Sequence, residues 1–548
     1  MTLMLQANSV LFFHGGRRIL DGASVEIHPG DRIALIGGNG AGKSTLFRLL
    51  AGHLPPSMGA VTRSRGVTLG MLEQRTAFPP GTTVREVIAA ASGDLGALEA
   101  QARGLETDMG AAADDDELAA ILDRYNDLLE RIDRALAGAS DESAGLRTLA
   151  GLGFPESRLD ESLDRMSGGE GDHLLLAALL VERPDVLLLD EPDNHLDFAA
   201  KAWLEETVGG YRGAVAVISH DRWFIDRVAT RILELEDGQI AAYPGGYADY
   251  RTTKMERLVR ASQLRDLQER EYRKLKASAE QLTQWARQNP KFASRAENMR
   301  RKLAEERERL DATARPVLER RQIDVAFAAE RGSTLVLEAD GAAKSYAGRE
   351  VLRPFDLVIR HGEAVGLVGA NGSGKTTLFR LVLGLEKPDA GTLRVGPSVI
   401  TGYYAQEQET LDPELTPLEA IRKLKPMTEQ AAIGFLGSYL FTREEMIGRI
   451  RDLSGGERAR LQIAGLILQG ANFLLLDEPT NNLDLASIER LEEALTDFRD
   501  AGQGTILAIS HDRAFLDAVC TRTLGLDDGE LRDYPGGGWR RRCCAGVR

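Results

Sequence analysis

At 548 residues the chain is too long for one ordinary core, and 43% apolar with 28% charged residues describes a soluble globular protein of two or more domains. A formal net charge of −15 argues against wholesale coating of nucleic acid, although a local basic element is compatible with it. The longest apolar runs, such as LLLAALLV at 174–181, fall well short of the roughly 20 residues of a membrane span.

The N-terminal stretch MTLMLQANSV lacks a basic region followed by an apolar core, so no secretory signal is expected. The first strong motif is GGNGAGKST, preceded by the apolar run IALI: Gly37, Gly38, Asn39, Gly40, Ala41, Gly42, Lys43, Ser44 and Thr45. A strand, a glycine-rich turn and a helical LFRLLAG pattern make a phosphate cradle. Glycines let backbone N–H groups curl around the anion, the lysine reaches the outer phosphates, and the Ser44 hydroxyl suits Mg²⁺.

Residues 94–138 carry twelve acids against four arginines. Leu118, Ile121, Leu122, Leu128, Leu129, Ile132 and Leu136 approximate helical spacing, and the break at GAAADDD predicts a hairpin. MSGGE follows at 166–170, where a serine cap and two glycines open a helix toward an anion. LLLDEP is a buried-strand run that delivers Asp190 and Glu191 at its carboxyl end. ISHDR then places His220 after another apolar strand.

From 251 to 310 the balance reverses, with seventeen Lys or Arg against nine acids. Leu264, Leu267, Glu271, Leu275, Ala279, Leu282 and Trp285 form one helical stripe. Phe292, Ala296, Met299, Leu303 and Leu310 form another. Asn289-Pro290 lies between them, so two helices folding back at RQNPKFASR are expected. A charged coiled coil that only spaces its neighbours is the alternative.

The second half then repeats the first. GANGSGKTT supplies Gly369, Ala370, Asn371, Gly372, Ser373, Gly374, Lys375, Thr376 and Thr377, and LSGGE, LLLDEP and ISHDR recur with Ser454, Asp477, Glu478 and His511. The offset is 332 from Lys43 to Lys375 and from Gln74 to Gln406, then 287 from Asp190 to Asp477 and 291 from His220 to His511. One large drop in an otherwise steady offset means two homologous halves, the first bearing the acidic insertion. Cys520 and the adjacent Cys543 and Cys544 make no disulfide framework and no metal spacing, which fits a reducing cytoplasm.

P-loop, glutamine, SGGE, LLLDEP and histidine, in that order and twice, resemble a tandem ATP-binding cassette protein. With no membrane span, an arm in the first cassette and a charged helical linker, the chain is similar to the F-type subfamily of soluble, ribosome-acting ATPases. The resemblance covers nearly the whole chain. It implies an α/β fold of two P-loop cassette domains joined by an antiparallel helical-hairpin linker, with a helical arm inserted in the first. The boundaries are 1–246 for the first cassette (arm about 94–138), 247–325 for the linker, 326–537 for the second cassette and 538–548 for a basic tail.

The resemblance further implies ATP hydrolysis with Mg²⁺. Asp190, Asp477, Ser44, Thr376, Gln74 and Gln406 would serve the metal, Glu191 and Glu478 would polarise the attacking water, and His220 and His511 would contact the γ-phosphate. Composite sites follow. Ser454 and Gly456 would complete the site of Lys43, while Ser167 and Gly169 would complete that of Lys375. Phe13 and Tyr346 are candidates to stack on adenine, with core packing as the alternative. The arm would touch a protein of the ribosomal exit site, or be a solvated hairpin. The linker would reach along transfer RNA toward ribosomal RNA, with Arg287, Lys291, Arg295, Arg300, Arg301 and Lys302 on phosphates. A monomer with its own cassettes paired is implied, in translation regulation or antibiotic protection.

Two departures in the first half, Asp172 after SGGE and Asp193 opposite Thr480 of the second half, predict unequal hydrolysis at the two sites. The ATPase of a transporter and a DNA-associated cassette protein are the rival readings. The former has no use for a charged hairpin, and the latter's C-terminal coiled coil has no counterpart here.

Overall fold

The computed structural model describes residues 3–72, 81–91, 142–312, 334–404 and 411–535, apart from residues 155, 167, 195, 290, 292, 347, 440, 454, 482 and 503, together with 102, 103, 105, 106, 109, 125, 129 and 132. Gln74, Gln406, Ser167, Ser454, most of the 94–138 arm and the 538–548 tail lie outside the described residues. The chain falls into two compact units, Met1–Ala242 with Ile323–Arg548, and Tyr243–Gln322.

In the first half, β1 (Leu5–His14), β2 (Arg17–Ile27) and β4 (Met58–Arg63) form an antiparallel sheet in the order β2-β1-β4. A second sheet runs β5-β6-β7-β3-β8-β9, built from β3 (Arg32–Ile36), β5 (Leu69–Leu72), β6 (Val186–Asp190), β7 (Ala214–Ile218), β8 (Arg231–Glu236) and β9 (Gln239–Pro244). Strands β3, β6 and β7 read RIALI, VLLLD and AVAVI and are buried at every position. Continuous apolar runs of this kind suit parallel strands covered on both faces.

The second half repeats the plan. Strands β10 (Leu335–Tyr346), β11 (Arg349–Arg360) and β13 (Ala390–Val395) pair in the order β11-β10-β13. The larger sheet runs β14-β15-β16-β12-β17-β18, from β12 (Ala364–Gly369), β14 (Thr401–Tyr404), β15 (Phe473–Asp477), β16 (Thr505–Ile509), β17 (Arg522–Asp527) and β18 (Glu530–Pro535). Only β17–β18 is antiparallel among the pairs of this sheet.

This strand order positions the chemistry. Because β6, β7 and β3 are neighbours and parallel, the segments leaving their carboxyl ends converge on one edge of the sheet. Those segments are Asp190-Glu191, Ser219-His220 and the glycine-rich turn. The same holds for β15, β16 and β12.

The Tyr243–Gln322 unit is a helical hairpin. Helix Tyr247–Gln288 ends at Asn289, whose extended backbone (φ −146°, ψ 113°) is what a following proline demands. Helix Ala293–Ala312 packs back along it. Leu275 and Leu282 are half-buried and Ala279 fully buried on the inner face, whereas Leu264 and Leu267 are exposed. Trp285, on the same sequence stripe, is exposed as well. Lys291, Arg295, Arg300, Arg301 and Lys302 are all exposed at or near the turn, and Arg287 lies in the last turn of the longer helix.

Candidate active site

Each glycine-rich turn is shaped for close approach to its own chain. Gly42 and Gly374 have φ of 104° and 106°, and a Cβ there would meet Ile19 Cγ2 at 2.6 Å and Val351 Cγ1 at 2.8 Å. Helices Lys43–Ala51 and Lys375–Val382 start immediately after them. The lysines fold back into the turns. Lys43 Nζ donates to the Gly37 and Gly38 carbonyls at 2.8 and 3.1 Å, and Lys375 Nζ to those of Gly369 and Ala370 at 2.7 and 3.0 Å.

Glu191 and Glu478 occupy the left-handed backbone region, with φ of 52° and 47°. Such strain persists where neighbours enforce it. Here each glutamate N–H donates to the adjacent strand, to Ile218 O and Ile509 O, both at 2.9 Å. Glu191 Oε2 accepts from Asn194 Nδ2 at 2.7 Å, and His220 Nε2 lies 3.7 Å from Glu191 Oε1. In the second half Glu478 Oε2 accepts from the His511 main-chain N–H at 3.2 Å, and His511 Nε2 lies 3.5 Å from Oε1.

Burial governs the protonation of this cluster. It pushes Glu478 up to about 7, and raises Asp477 despite the pull of Lys375. Burial, then the Lys43 charge, lowers His220 to about 4, and burial with Lys375 holds His511 well below the ordinary imidazole value. Both imidazoles are neutral at pH 7 and present a lone pair or a neutral N–H to a ligand.

The halves meet through these same residues. The Asn39 N–H donates to Asp484 Oδ2 of the other half at 3.1 Å, and Asp484 also caps helix Leu485–Asp500. Asp197, its counterpart at an offset of 287, caps helix Phe198–Gly209 and adds its charge to the surroundings of Lys375. Two buried ion pairs follow the duplication: Arg513–Glu205 at 2.7 Å, and Arg222 Nη1–Glu492 Oε2 at 3.0 Å. An interface in which residue i meets j and i's copy meets j's copy is isologous.

Around Lys375 the two halves enclose a cavity of about 540 Å³. Its wall includes Asn371, Gly372, Gly374, Thr376, Thr377, Tyr346, Asp477, Glu478 and His511 of the second half, and Glu191, Asp193, Asn194, Leu196, Lys201, His220 and Asp221 of the first. Gly169 and Gly456 lie in the first turns of helices Gly168–Glu182 and Gly455–Leu468. The first site gathers Lys43, Asp190, Glu191 and His220 with Asp484 from the other half. Phe13 and Tyr346 are 48% and 39% exposed, so neither is a core residue, and Tyr346 lines the cavity around Lys375.

Asp193 has a setting that its sequence position alone does not suggest. It is buried, accepts a hydrogen bond from Ser219, and sits near Lys201 and Asp221 on the wall of the cavity, and burial raises its carboxyl to about 7. Asp172 lies half-buried in helix Gly168–Glu182. Sequence reasoning passed over Asp197, Asp484 and Lys201. The recurrence of N-x-L-D at both 194–197 and 481–484 was the available signal for the aspartates.

A family model described as ABC transporter matches residues 20–194 and again 352–481, and a second model of the same description matches 233–324. The chain is 36% identical to a putative ATP-binding protein of Bacillus subtilis, YdiF, over 97% of its length and 82% of that relative's. It is 35% identical to the energy-dependent translational throttle protein EttA of Escherichia coli, over 95% of this chain and 91% of that one. Among solved structures it is similar to an archaeal ribosome recycling factor in complex with a ribosomal stalk protein. The TM-score is 0.60 at 20% identity, over 98% of this chain and 92% of that one. Two matched cassettes, a matched linker and relatives aligned nearly end to end lead to one assignment: the chain belongs to the ATP-binding cassette family of ATPases, in its tandem F-type branch.

Proposed function

We propose that this ATPase binds the ribosome near the exit site when its cassettes are closed on ATP, and that it acts on translation, as a regulator or as a protector against an antibiotic. The observation that carries the reading is the cross-completion of the two sites, with Asp484 on the turn of Lys43 and Asp197 beside Lys375. Nucleotide bound there contacts both halves only when they are together, which is the differential contact that a conformational switch requires. The throttle proteins and the recycling factor among the similar proteins support the choice of target.

In each site the glycine-rich turn and its lysine hold the phosphates. Glu191 or Glu478 orients and polarises the attacking water, and the neutral His220 or His511 meets the γ-phosphate. Ser44 with Asp190, and Thr376 with Asp477, offer a hydroxyl and a carboxylate. Among the described residues no cluster of three or more His, Cys, Asp or Glu could hold a metal unaided. Two hard oxygen donors suit Mg²⁺ completed by phosphate and water, and the ion would neutralise charge on the phosphates. Gln74 and Gln406 would attend the same ion, and Ser167, Gly169, Ser454 and Gly456 would reach the opposite nucleotide.

No described helix is long and apolar enough to cross a membrane, and we place the protein in the cytoplasm as a monomer. Boundaries at 246, 325 and 537 divide cassette, linker, cassette and tail. The arm would contact a ribosomal protein, and the hairpin would lie on transfer and ribosomal RNA. The exposed Lys291, Arg295, Arg300, Arg301 and Lys302, with Arg287, would meet phosphates without reading sequence.

Ribosome co-sedimentation tests this. The chain should pellet with ribosomes in ATP and stay in the supernatant in ADP, and equal pelleting in both would overturn the nucleotide gating. Arg295→Glu, Arg300→Glu and Arg301→Glu together should lose about tenfold or more of ribosome affinity between 50 and 200 mM salt relative to wild type. Unchanged pelleting at every salt concentration would remove the RNA role of the hairpin.

A further inference from the structure

The duplicated halves differ at a pair of charged positions in their interface. Asp193 and Lys201 stand in the first half where the second has Thr480 and Ile488, both at the same offset of 287. The first half thus carries an acid and a base where the second carries two uncharged residues. Lys201 lies in the first turns of helix Phe198–Gly209 and is buried.

A buried ammonium is destabilising unless its charge and its three donors are met. Lys201 Nζ donates to Asp221 Oδ2 at 2.9 Å and, across the interface, to the main-chain carbonyl of His511 at 3.2 Å. Asp193 and Asp512 supply further negative charge. Burial alone would pull the lysine down, but Asp221 and Asp193 outweigh it and hold Lys201 in its charged form. From the same helix, the Phe198 ring packs on the His511 ring with centroids 5.3 Å apart. The first site has no equivalent pair, since Leu485 and Ile488 occupy the matching positions.

We infer that Lys201 of the first cassette is a positioning residue for the nucleotide site of the second, clamping the His511 loop through its carbonyl so that the imidazole and Glu478 face the γ-phosphate. The inference rests on the roles given above to His511 and Glu478. It makes the second site the faster one. Asp221 is the direct counter-charge that lets the lysine be buried there, and Asp193 is a second carboxyl close to both.

The test uses the full chain with one site live at a time: Glu191→Gln leaves the second, and Glu478→Gln leaves the first. In each background Asp193→Thr with Lys201→Ile copies the uncharged pair of the second half and leaves the net charge unchanged, while Asp221 keeps the main-chain N–H groups of Trp223 and Phe224 as donors. With only the second site live, kcat should fall about tenfold, the size of one charged hydrogen bond, with KM changed less than about twofold. Lys201→Arg, which keeps charge and donors, should retain most of the rate. With only the first site live, the paired substitution should change kcat less than about twofold.

The full exchange, adding Thr480→Asp and Ile488→Lys, should move the faster site to the first cassette. Equal losses in both backgrounds would mean a general structural role and overturn the proposal, as would no loss in either. A Glu191→Gln, Glu478→Gln chain that still hydrolyses ATP would instead overturn the glutamate assignment beneath it.

Discussion

A chain carrying both Glu191→Gln and Glu478→Gln is expected to release phosphate from ATP about 10²- to 10⁴-fold more slowly than wild type, while still binding nucleotide. The substitution keeps the side-chain volume and the hydrogen bonds, including the one from Asn194 to Glu191 and the one from the His511 main chain to Glu478. It removes only the ability to polarise water. Trapped with ATP, the chain should co-sediment with ribosomes more completely than wild type. The single variants should differ from one another, because Lys201 stands behind one site and Ile488 behind the other. Turnover near the wild-type value in the double variant would remove both glutamates from the mechanism.

Arg513→Met should release the cassettes from one another. Arg513 and Glu205 are each under a tenth exposed, pair at 2.7 Å, and come from opposite halves. Breaking such a pair from one side leaves the buried Glu205 facing only the exposed Arg227 at 3.8 Å and costs up to about 3–5 kcal/mol, or at most two to three and a half decades in the closing equilibrium. Hydrogen exchange in helices Phe198–Gly209 and Arg513–Val519 reads the loss of cover. The loss should depend on pH with a definite sign. Burial already raises Glu205 above its ordinary value of 4.5, against the pull of Arg513. Without the arginine it rises further, so the closed form binds more protons than the open one. Closure is then retained below the ordinary value and weakens as pH climbs through the raised one. Exchanging the charges, Glu205→Arg with Arg513→Glu, should restore protection; a swap no better than the single variant would remove the pair from the interface.

Much of this was legible from the letters. The apolar runs ending in LLLD and the glycine-rich turns fixed which residues would be strands and which edge they would share, because a parallel strand buried on both faces admits little else. The duplication carried the pairing of halves. What the sequence withheld was anything decided by the folded surroundings of a side chain. Asp193 reads as an acid close to Glu191 until Lys201, eight residues on, is seen to face it. Asp484 reads as a helix cap, which it is, and its second hydrogen bond to Asn39 has no local sign. The linker stripe failed at Leu264 and Leu267 for a different reason. Periodicity identifies a face that can be covered and does not say which of its members will be.

The contact between Asn39 and Asp484 spans 445 positions of chain, and the ion pairs beside it span 270 and 308. Each copy of the ancestral unit therefore serves as part of the other's chemical surroundings. A substitution that suits one copy alters the working conditions of its twin, so the two cannot drift independently. Specialisation must come as matched changes, of which the joint appearance of Asp193 and Lys201 is one readable instance.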